Sequence, residues 1–311
     1  MSTDERALGL EALTGLLDEF RQGHIVDLGA ERAGMERHAG RLTARWNARF
    51  PGFPSEHFPY TSFWGEYYRG RRDAFLKRIV VKLLSHTGSA ETTIVNPACV
   101  FGRHACDLAS QLPHARVIAT DIDPNWARLY RLARGGRMPG NYLFVQDNIF
   151  APHREIQPTT VVFFGACGAV SDAALDYAID SGATYLVCRT CCHDNIGGNV
   201  EITKRSNNLN RFFRLKNWAY GRMKWKARYA GYYFSDKYQR SAYPRSEAAQ
   251  RVSNADEFQA VARDSPESDI CRAIIDLDRY LVLVERGFSV LYQGELFVAE
   301  RNEVEGVRSG V

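Results

Sequence analysis

Apolar residues recur along this chain with two different periods, and the change from one to the other falls near Thr92. Before it the spacing is helical. Asp4–Phe20 brings Leu8, Leu10, Leu13, Leu16, Leu17 and Phe20 onto one face, and Arg32–Arg49 and Ser62–Ser85 predict two further helices, parted by FPGFPSEHFPY. From Thr92 onward short β-branched runs alternate with helical stretches. Strands are expected at Thr93–Asn96, Arg116–Asp121, Tyr142–Gln146, Thr160–Phe164 and Ala183–Arg189. Between them lie a helix closed by Pro113, a helix opened by Asp123-Pro124, and Ser171–Asp180, which Gly182 stops. This alternation implies an α/β fold, a parallel sheet with helices on both faces. A helix from Asn254 follows. Another after Ser265-Pro266 carries Ile270, Ile274, Leu277, Leu281 and Val284 on one stripe, with Gly287 at its end. The chain then runs through FSVLYQGELFVAER, a β-hairpin turning at Gln293-Gly294.

Composition alters this picture little. The 311 residues, 45% hydrophobic and 24% charged, suit a soluble globular protein of one large domain or a core with an appendage. The pattern predicts an N-terminal helical extension over 1–90 and a cofactor-binding domain over 91–303. No run approaches the roughly 18 apolar residues of a membrane span, and the first residues lack a secretion pattern. Seven cysteines, an odd number, suggest reduced thiols and a cytoplasmic location. Cys99, Cys106, Cys188 and Cys271 read as small core residues.

Charge distribution changes more. Lys204–Arg245 holds 12 Lys/Arg against the single acid Asp236, so it carries +11 of a whole-chain +4 and leaves −7 for the rest. The same stretch interleaves 11 aromatics from Phe212 to Tyr243. Cations neutralise phosphates while aromatic faces stack bases, so the insert over 204–245 is a candidate RNA-binding surface. Arg211, Arg214, Trp218, Lys224 and Trp225 are its candidate contacts, and Arg69, Arg71, Arg72, Lys77 and Arg78 could extend it. The alternatives are a lid or oligomer contact with buried aromatics and solvated cations, or a surface for another anionic or protein substrate.

The region Thr92–Phe150 carries the candidate cofactor chemistry. A strand, a small-residue turn, a helix, and a second strand ending in a carboxylate about 20 residues on is how adenosine-containing cofactors are held. The turn Asn96–Arg103 must let backbone approach the ligand and present helix N-terminal amides to it. Asp121 ends the second strand, where a carboxylate accepts both ribose hydroxyls, and Asp123 before Pro124 already supplies the next helix cap. Asp147 suits an adenine amino group, with Asn148 or Ile149 lining the ring; the other reading is a simple turn aspartate. Asn96, Ala98, Cys99, Gly102, Asp121, Ile122, Asp147, Asn148 and Gly165 form the candidate cofactor set.

Five parallel strands followed by a helix and a reversed hairpin resemble the Rossmann-like, seven-stranded class I methyltransferase sheet, which implies S-adenosylmethionine (SAM) as cofactor. NAD competes on Asp121 alone, but it needs a glycine near Val100, where a branched side chain obstructs. The family's loop opens with an acid and alternates three glycines. Here Asn96 replaces the acid, Ala98 and Val100 take the first two glycine places, and Gly102 keeps the third. After strands four and five the chain reads ACGAVSD and CCH. With the later IIDLDRYLVLVERGFSVLYQG, this is similar to a methyltransferase group that includes tRNA 2′-O-methyltransferases. The matching positions are Cys167, Gly168, Ser171, Asp172, Cys191, Cys192 and His193; the N-terminal Cys/His zinc array of the tRNA enzymes is not found here. Ends of adjacent strands lie about 5 Å apart, so Cys167 and Cys192 could share a substrate wall with His193, the candidate base. The other role for His193 is a hydrogen-bonded residue shaping the pocket. Zinc on Cys167, Cys191, Cys192 and His193 is disfavoured, because consecutive residues point oppositely and structural zinc uses spaced ligand pairs. The resemblance thus implies a SAM-dependent methyltransferase acting on RNA. The reduced glycine loop keeps open a non-catalytic scaffold on the same fold, or a protein or small-molecule acceptor.

Overall fold

The computed structural model describes residues 66–85, 92–99, 102–153, 155–167, 169–191, 243–256, 269–293 and 296–302, with position 258 and six positions between 10 and 18. In chain order the elements are α1 (Glu66–Ser85), β1 (Thr93–Asn96), α2 (Arg103–Gln111), β2 (Arg116–Asp121), α3 (Pro124–Ala133), β3 (Tyr142–Gln146) and β4 (Thr160–Cys167). Then come α4 (Ala169–Asp180), β5 (Tyr185–Cys191), α5 (Glu247–Val252), α6 (Asp269–Glu285), β6 (Phe288–Gln293) and β7 (Leu296–Arg301).

The first three strands fall where the β-branched runs predict them. β4 runs on to Cys167 because a bulge at Gly165, between Phe164 and Ala166, lets pairing continue past the irregularity. β5 begins and ends two residues later than expected. The helix Glu247–Val252 was not predicted; it is one short turn capped by Ser246, whose hydroxyl accepts from the Ala249 N–H. Of the N-terminal helices, Glu66–Ser85 lies within the predicted Ser62–Ser85, the described positions of Asp4–Phe20 are helical, and Arg32–Arg49 lies outside the described residues.

One sheet of seven strands takes the order β3-β2-β1-β4-β5-β7-β6. β1 to β5 pair in parallel, and β7 runs antiparallel to both β5 and β6. This is the Rossmann-like class I methyltransferase sheet with its reversed last strand. Period-two alternation sorts the strand side chains into two cores. Val95, Ile118, Val161, Phe163, Leu186 and Cys188 face α4, α5 and α6, with Leu13 from the N-terminal segment buried among them. Ile94, Val117, Ala119, Val162 and Val187 face α1 and α2. Strand order reverses between β1 and β4. The crevice at the carboxyl ends of those two strands is therefore the place this architecture provides for a ligand.

Candidate active site

The turn after β1 keeps a glycine-type backbone with only one glycine. Ala98 has φ 48°, the one positive φ outside glycine among the described residues, a conformation that costs an L-residue about 1–2 kcal/mol. The Cys99 N–H donates to the Thr120 carbonyl at 2.9 Å, and the Gly102 N–H donates to the Cys99 carbonyl at 3.0 Å. Gly102, at φ 69°, caps α2 without a side chain, so the helix's first amides open toward the carboxyl edge. Any Cβ at Gly102 would collide with the Tyr142 hydroxyl. That hydroxyl is itself buried with no partner among the described residues. Asn96 serves the sheet: its Nδ2 donates to the Val162 carbonyl at 2.9 Å, tying β1 to β4. Val100 lies outside the described residues.

The tips of β2 and β3 bring two carboxylates together. Asp121 is 9% exposed, and its Oδ1 accepts from the Asp123 N–H at 3.0 Å. Asp123 in turn caps α3, accepting from the Asn125 N–H at 3.0 Å ahead of Pro124, as the sequence predicts. Burial and the neighbouring Asp121 carboxylate push the Cys99 thiol well up, so the β1 turn and the β2 tip form one locus. The Asp147 N–H donates to the Asp121 carbonyl at 2.9 Å. The Asp147 carboxylate organises its own loop: Oδ1 accepts from the Asn148 N–H at 2.8 Å and the His153 N–H at 3.2 Å, and faces His153 Nδ1 at 2.9 Å. Asn148 forms a local turn, accepting from the Phe150 N–H at 3.1 Å, and Ile149 packs against the core. The carbonyl of Ile122 accepts from Gln146 Nε2 at 3.1 Å.

At the ends of β4 and β5 the structure reveals polar groups that sequence reasoning missed. Gly165 sits at φ 81°, and a Cβ there would meet the Arg189 guanidinium at 2.6 Å. Arg189, 5% exposed, donates from Nε to Asp73 Oδ1 of α1 at 2.7 Å. His104 Nε2 lies 3.6 Å from the same carboxylate, its ring 4.6 Å from that of Phe164, and burial lowers its basicity. Gly165 thus has a structural reason to lack a side chain. An arginine near the end of an apolar strand was the only signal in the sequence.

The ACGAVSD and IIDLDR motifs meet on the other face. Arg279, fully buried, donates from Nε to Asp172 Oδ1 at 2.8 Å, from Nη1 to Asp276 Oδ1 at 3.2 Å and from Nη2 to the Tyr243 hydroxyl at 3.3 Å. The Tyr243 hydroxyl donates to Asp172 Oδ2 at 2.5 Å. Arg245 reaches Asp172 at 3.4 Å and also pairs with Asp176. Burial opposes a charge on Asp172, but Arg279, Arg245 and the hydrogen bonds outweigh it and hold its carboxyl below the usual range. Thr190 of β5 donates to Asp276 at 3.0 Å. Asp278 accepts from the Ser246 hydroxyl at 2.6 Å and from the Arg245 and Ser246 amides; burial nevertheless pushes its carboxyl up. Asp172 is therefore an architectural residue, fastening the C-terminal end of the basic insert, Tyr243 and Arg245, to α4 and α6.

Cys167 pairs in register with Cys191 on the last rung of β4 and β5, so these strand ends do lie side by side. Cys192, His193, Arg211, Arg214, Trp218, Lys224 and Trp225 lie outside the described residues, as does all of the insert before Tyr243. Lys77 does not extend a basic surface: its side chain is 15% exposed and bonds Asp107 at 2.7 Å, joining α1 to α2. Cys106 and Cys188 are buried, as expected of core thiols, and Cys99 is partly buried. Among the described residues no helix is long and apolar enough to cross a membrane.

No protein-family model matches the chain, and no curated protein matches it. Among solved structures it is similar to the antibiotic-resistance methyltransferase Kmr, at 18% identity and TM-score 0.28 over 32% of this chain and 59% of that one. It is similar to the glycopeptide N-methyltransferase MtfA in complex with SAM, at 13% identity and TM-score 0.29 over 38% and 56%. It is also similar to the 23S rRNA methyltransferase ErmE, at 16% identity and TM-score 0.29 over 40% and 50%. The chain spans less than two thirds of the length of each. The seven-strand order, the reversed β7 and the crevice between β1 and β4 give this chain the class I methyltransferase fold.

Proposed function

We propose that the chain is a SAM-dependent methyltransferase acting on RNA, with a helical extension over 1–90 and a catalytic domain over 91–303. The observation that carries the reading is Asp121. It is a nearly buried carboxylate at the tip of β2, beside the Cys99 turn, and the neighbouring helix cap is made by Asp123 instead. The residues fit the cofactor by their donor chemistry. Asp121 would accept the ribose hydroxyls, the first amides of α2 would receive a carboxylate, and Ala98 offers a turn with no side chain beyond Cβ. Asp147, Asn148 and Ile122 would line the adenine side, and Gly102 and Gly165 would bound the space. When bound, SAM supplies an electrophilic methyl for in-line displacement. The chain's own contribution is positioning and exclusion of water, with His193 available as base for a poor nucleophile. Cys167 and Cys192 would wall the acceptor.

RNA as acceptor is supported by the cation and aromatic content of Lys204–Arg245 and by where that insert is rooted. It leaves β5 after Cys191 and returns at Tyr243, beside Asp172, so both roots stand at the carboxyl edge. Free Cys99, Cys106 and Cys188 suit a cytoplasmic protein. The test is calorimetric titration of SAM into wild type and Asp121→Ala. Micromolar binding that the variant loses supports the reading. A folded wild type that binds no SAM, with or without RNA, leaves a non-catalytic scaffold instead. RNA affinity that survives deletion of 204–240 moves the acceptor to protein or small molecule.

A further inference from the structure

Away from the insert, a second cationic surface occupies the outer flank of the sheet. Between Asp123 and Asp147 the chain has four arginines, Arg128, Arg131, Arg134 and Arg137, and no acid or lysine. All four are exposed, as is Arg116 at the start of β2. The Val117 N–H donates to the Asn141 carbonyl at 2.9 Å, which sets Arg116 beside the loop that carries Arg137. Among the described residues Arg116, Arg128, Arg131 and Arg137 pair with no carboxylate. Arg134 is held against Tyr130, donating to its hydroxyl at 3.2 Å with the guanidinium 5.7 Å from the ring centroid.

Helix stability does not explain this stripe. Residues three apart on a helix are surface neighbours, and like charges there cost about 0.2–0.5 kcal/mol per pair. The helix dipole returns some of that to Arg131 and Arg134 near the C-terminus, but nothing to Arg128 in the middle. A solvated surface ordinarily mixes both signs. Here Asp121, Asp123 and Asp147 are buried at the opposite edge, and the nearby Asp107 of α2 is already paired with Lys77.

We infer that this flank, Arg128 with Arg131 and Arg137, is a second docking surface for the phosphate backbone of a structured RNA. The inference rests on the RNA reading above and narrows it. The flank's far end lies at the amino edge of the strands, and the insert is rooted at the carboxyl edge. β2 alone spans roughly 20 Å at about 3.3 Å per residue, so a polyanion touching both must be extended and stiff. A folded RNA meets that requirement and a short single strand does not. Arg128 and Arg131, three apart on the helix, have Cβ atoms about 5–6 Å apart, within reach of neighbouring phosphates, and Arg is the side chain that grips them in a fixed fork. A membrane-binding helix would present a broad apolar face beside its cations; among the described side chains of this helix, Leu132 is the one large apolar group that is exposed.

The experiment compares the full chain with Arg128→Gln/Arg131→Gln/Arg137→Gln and with the corresponding triple Lys variant. Unfractionated tRNA and a short single-stranded oligonucleotide are the probes, with fluorescence anisotropy read across a KCl series, and phosphatidylserine vesicles are tested alongside by co-sedimentation. Three lost phosphate contacts should flatten the plot of log affinity against log salt by about 2–3 for tRNA, at roughly 0.7–0.9 per contact. The oligonucleotide slope should be unchanged, and the Lys variant should restore most of the tRNA slope. SAM affinity and the thermal midpoint should match wild type in both variants. Equal tRNA slopes for wild type and the Gln variant overturn the flank while leaving the RNA reading intact. A wild type with no affinity for tRNA removes the RNA reading and the flank with it. Loss confined to phosphatidylserine vesicles would make the flank a lipid surface and overturn it as an RNA site.

Discussion

Arg279→Met tests whether the buried network is what secures the carboxyl edge. Methionine keeps most of the aliphatic stem and removes the charge. In wild type the guanidinium bridges Asp172 at 2.8 Å, Asp276 at 3.2 Å and the Tyr243 hydroxyl at 3.3 Å, with no exposure. Without it two buried carboxylates face each other's neighbourhood without their central cation. Breaking a buried pair from one side costs about 3–5 kcal/mol. Neither acid is left bare, since Asp172 keeps Tyr243 and the 3.4 Å contact with Arg245, and Asp276 keeps Thr190. The lower half of that range is therefore expected, about 3–4 kcal/mol. At roughly 2–4 °C per kcal/mol for a large domain, the thermal midpoint should fall by about 6–15 °C. Asp172→Asn alone should cost a similar amount, and the double variant clearly less than the sum, by about 1–3 kcal/mol of coupling. Urea unfolding of the four proteins completes the cycle. A loss below about 1 kcal/mol for Arg279→Met, or additivity in the cycle, would refute the argument that one ionic network carries this region.

Other consequences are smaller. Tyr142→Phe should be neutral or slightly stabilising by urea midpoint, because it removes a buried hydroxyl with no partner among the described residues. Gly102→Ala should cost about 1–3 kcal/mol from overpacking against that hydroxyl, and adding Tyr142→Phe should recover part of it. Ala98→Gly, at φ 48°, should range from neutral to about 1 kcal/mol stabilising, and Ala98→Val should destabilise. The pH dependence follows from the sign of the Asp172 shift. A carboxyl held low in the fold adds stability above its unfolded pKa of about 3.9, and that stability is lost as pH falls through the lower folded value. The gap in melting temperature between wild type and Asp172→Asn should therefore hold from pH 7 to about pH 4 and narrow below it. A gap that widens in acid would contradict that sign.

The strands were legible because each buried run alternates between two cores, so Ile94/Val95, Val117/Ile118 and Leu186/Val187 mark both element and register. Asp121 and Asp123 were separable in the sequence because Pro124 assigns the cap to one of them. The stripe Ile274, Leu277, Leu281 and Val284 is buried as read. Periodicity alone treats Asp276, Asp278 and Arg279, buried on the same helix, as solvent positions, and the motif likeness that picks out this Asp-x-Asp-Arg assigns it no role. Asp172 and Arg279 are 107 residues apart. Nothing local to either announces the pair, and the motif likeness that singled out Asp172 gave no hint that its role is structural. Gly165 was marked for the cofactor by its place at a strand end. Its missing side chain is explained by Arg189, which only tertiary packing reveals.

Two residues just before the end of β5 anchor the strand where the insert is rooted. Alternation sends Arg189 to the α1 face, where Asp73 holds it at 2.7 Å, and Thr190 to the opposite face, where Asp276 holds it at 3.0 Å. The strand tip is thus pinned on both sides just before the insert begins. Its return at Tyr243 is pinned by Asp172 and Arg279, and Asp276 belongs to both fastenings. Holding the ends of a segment of roughly 50 residues adds little entropic cost, since closure grows only as the logarithm of length. Under the proposed function, an acceptor held by the segment would meet the carboxyl edge in a local rather than a bimolecular encounter. On this argument, loosening either fastening should weaken acceptor binding while SAM affinity stays at the wild-type value. The staple and the proposed cofactor locus sit on different strand tips, Thr190 on β5 against Asp121 on β2, with β4 and β1 between them.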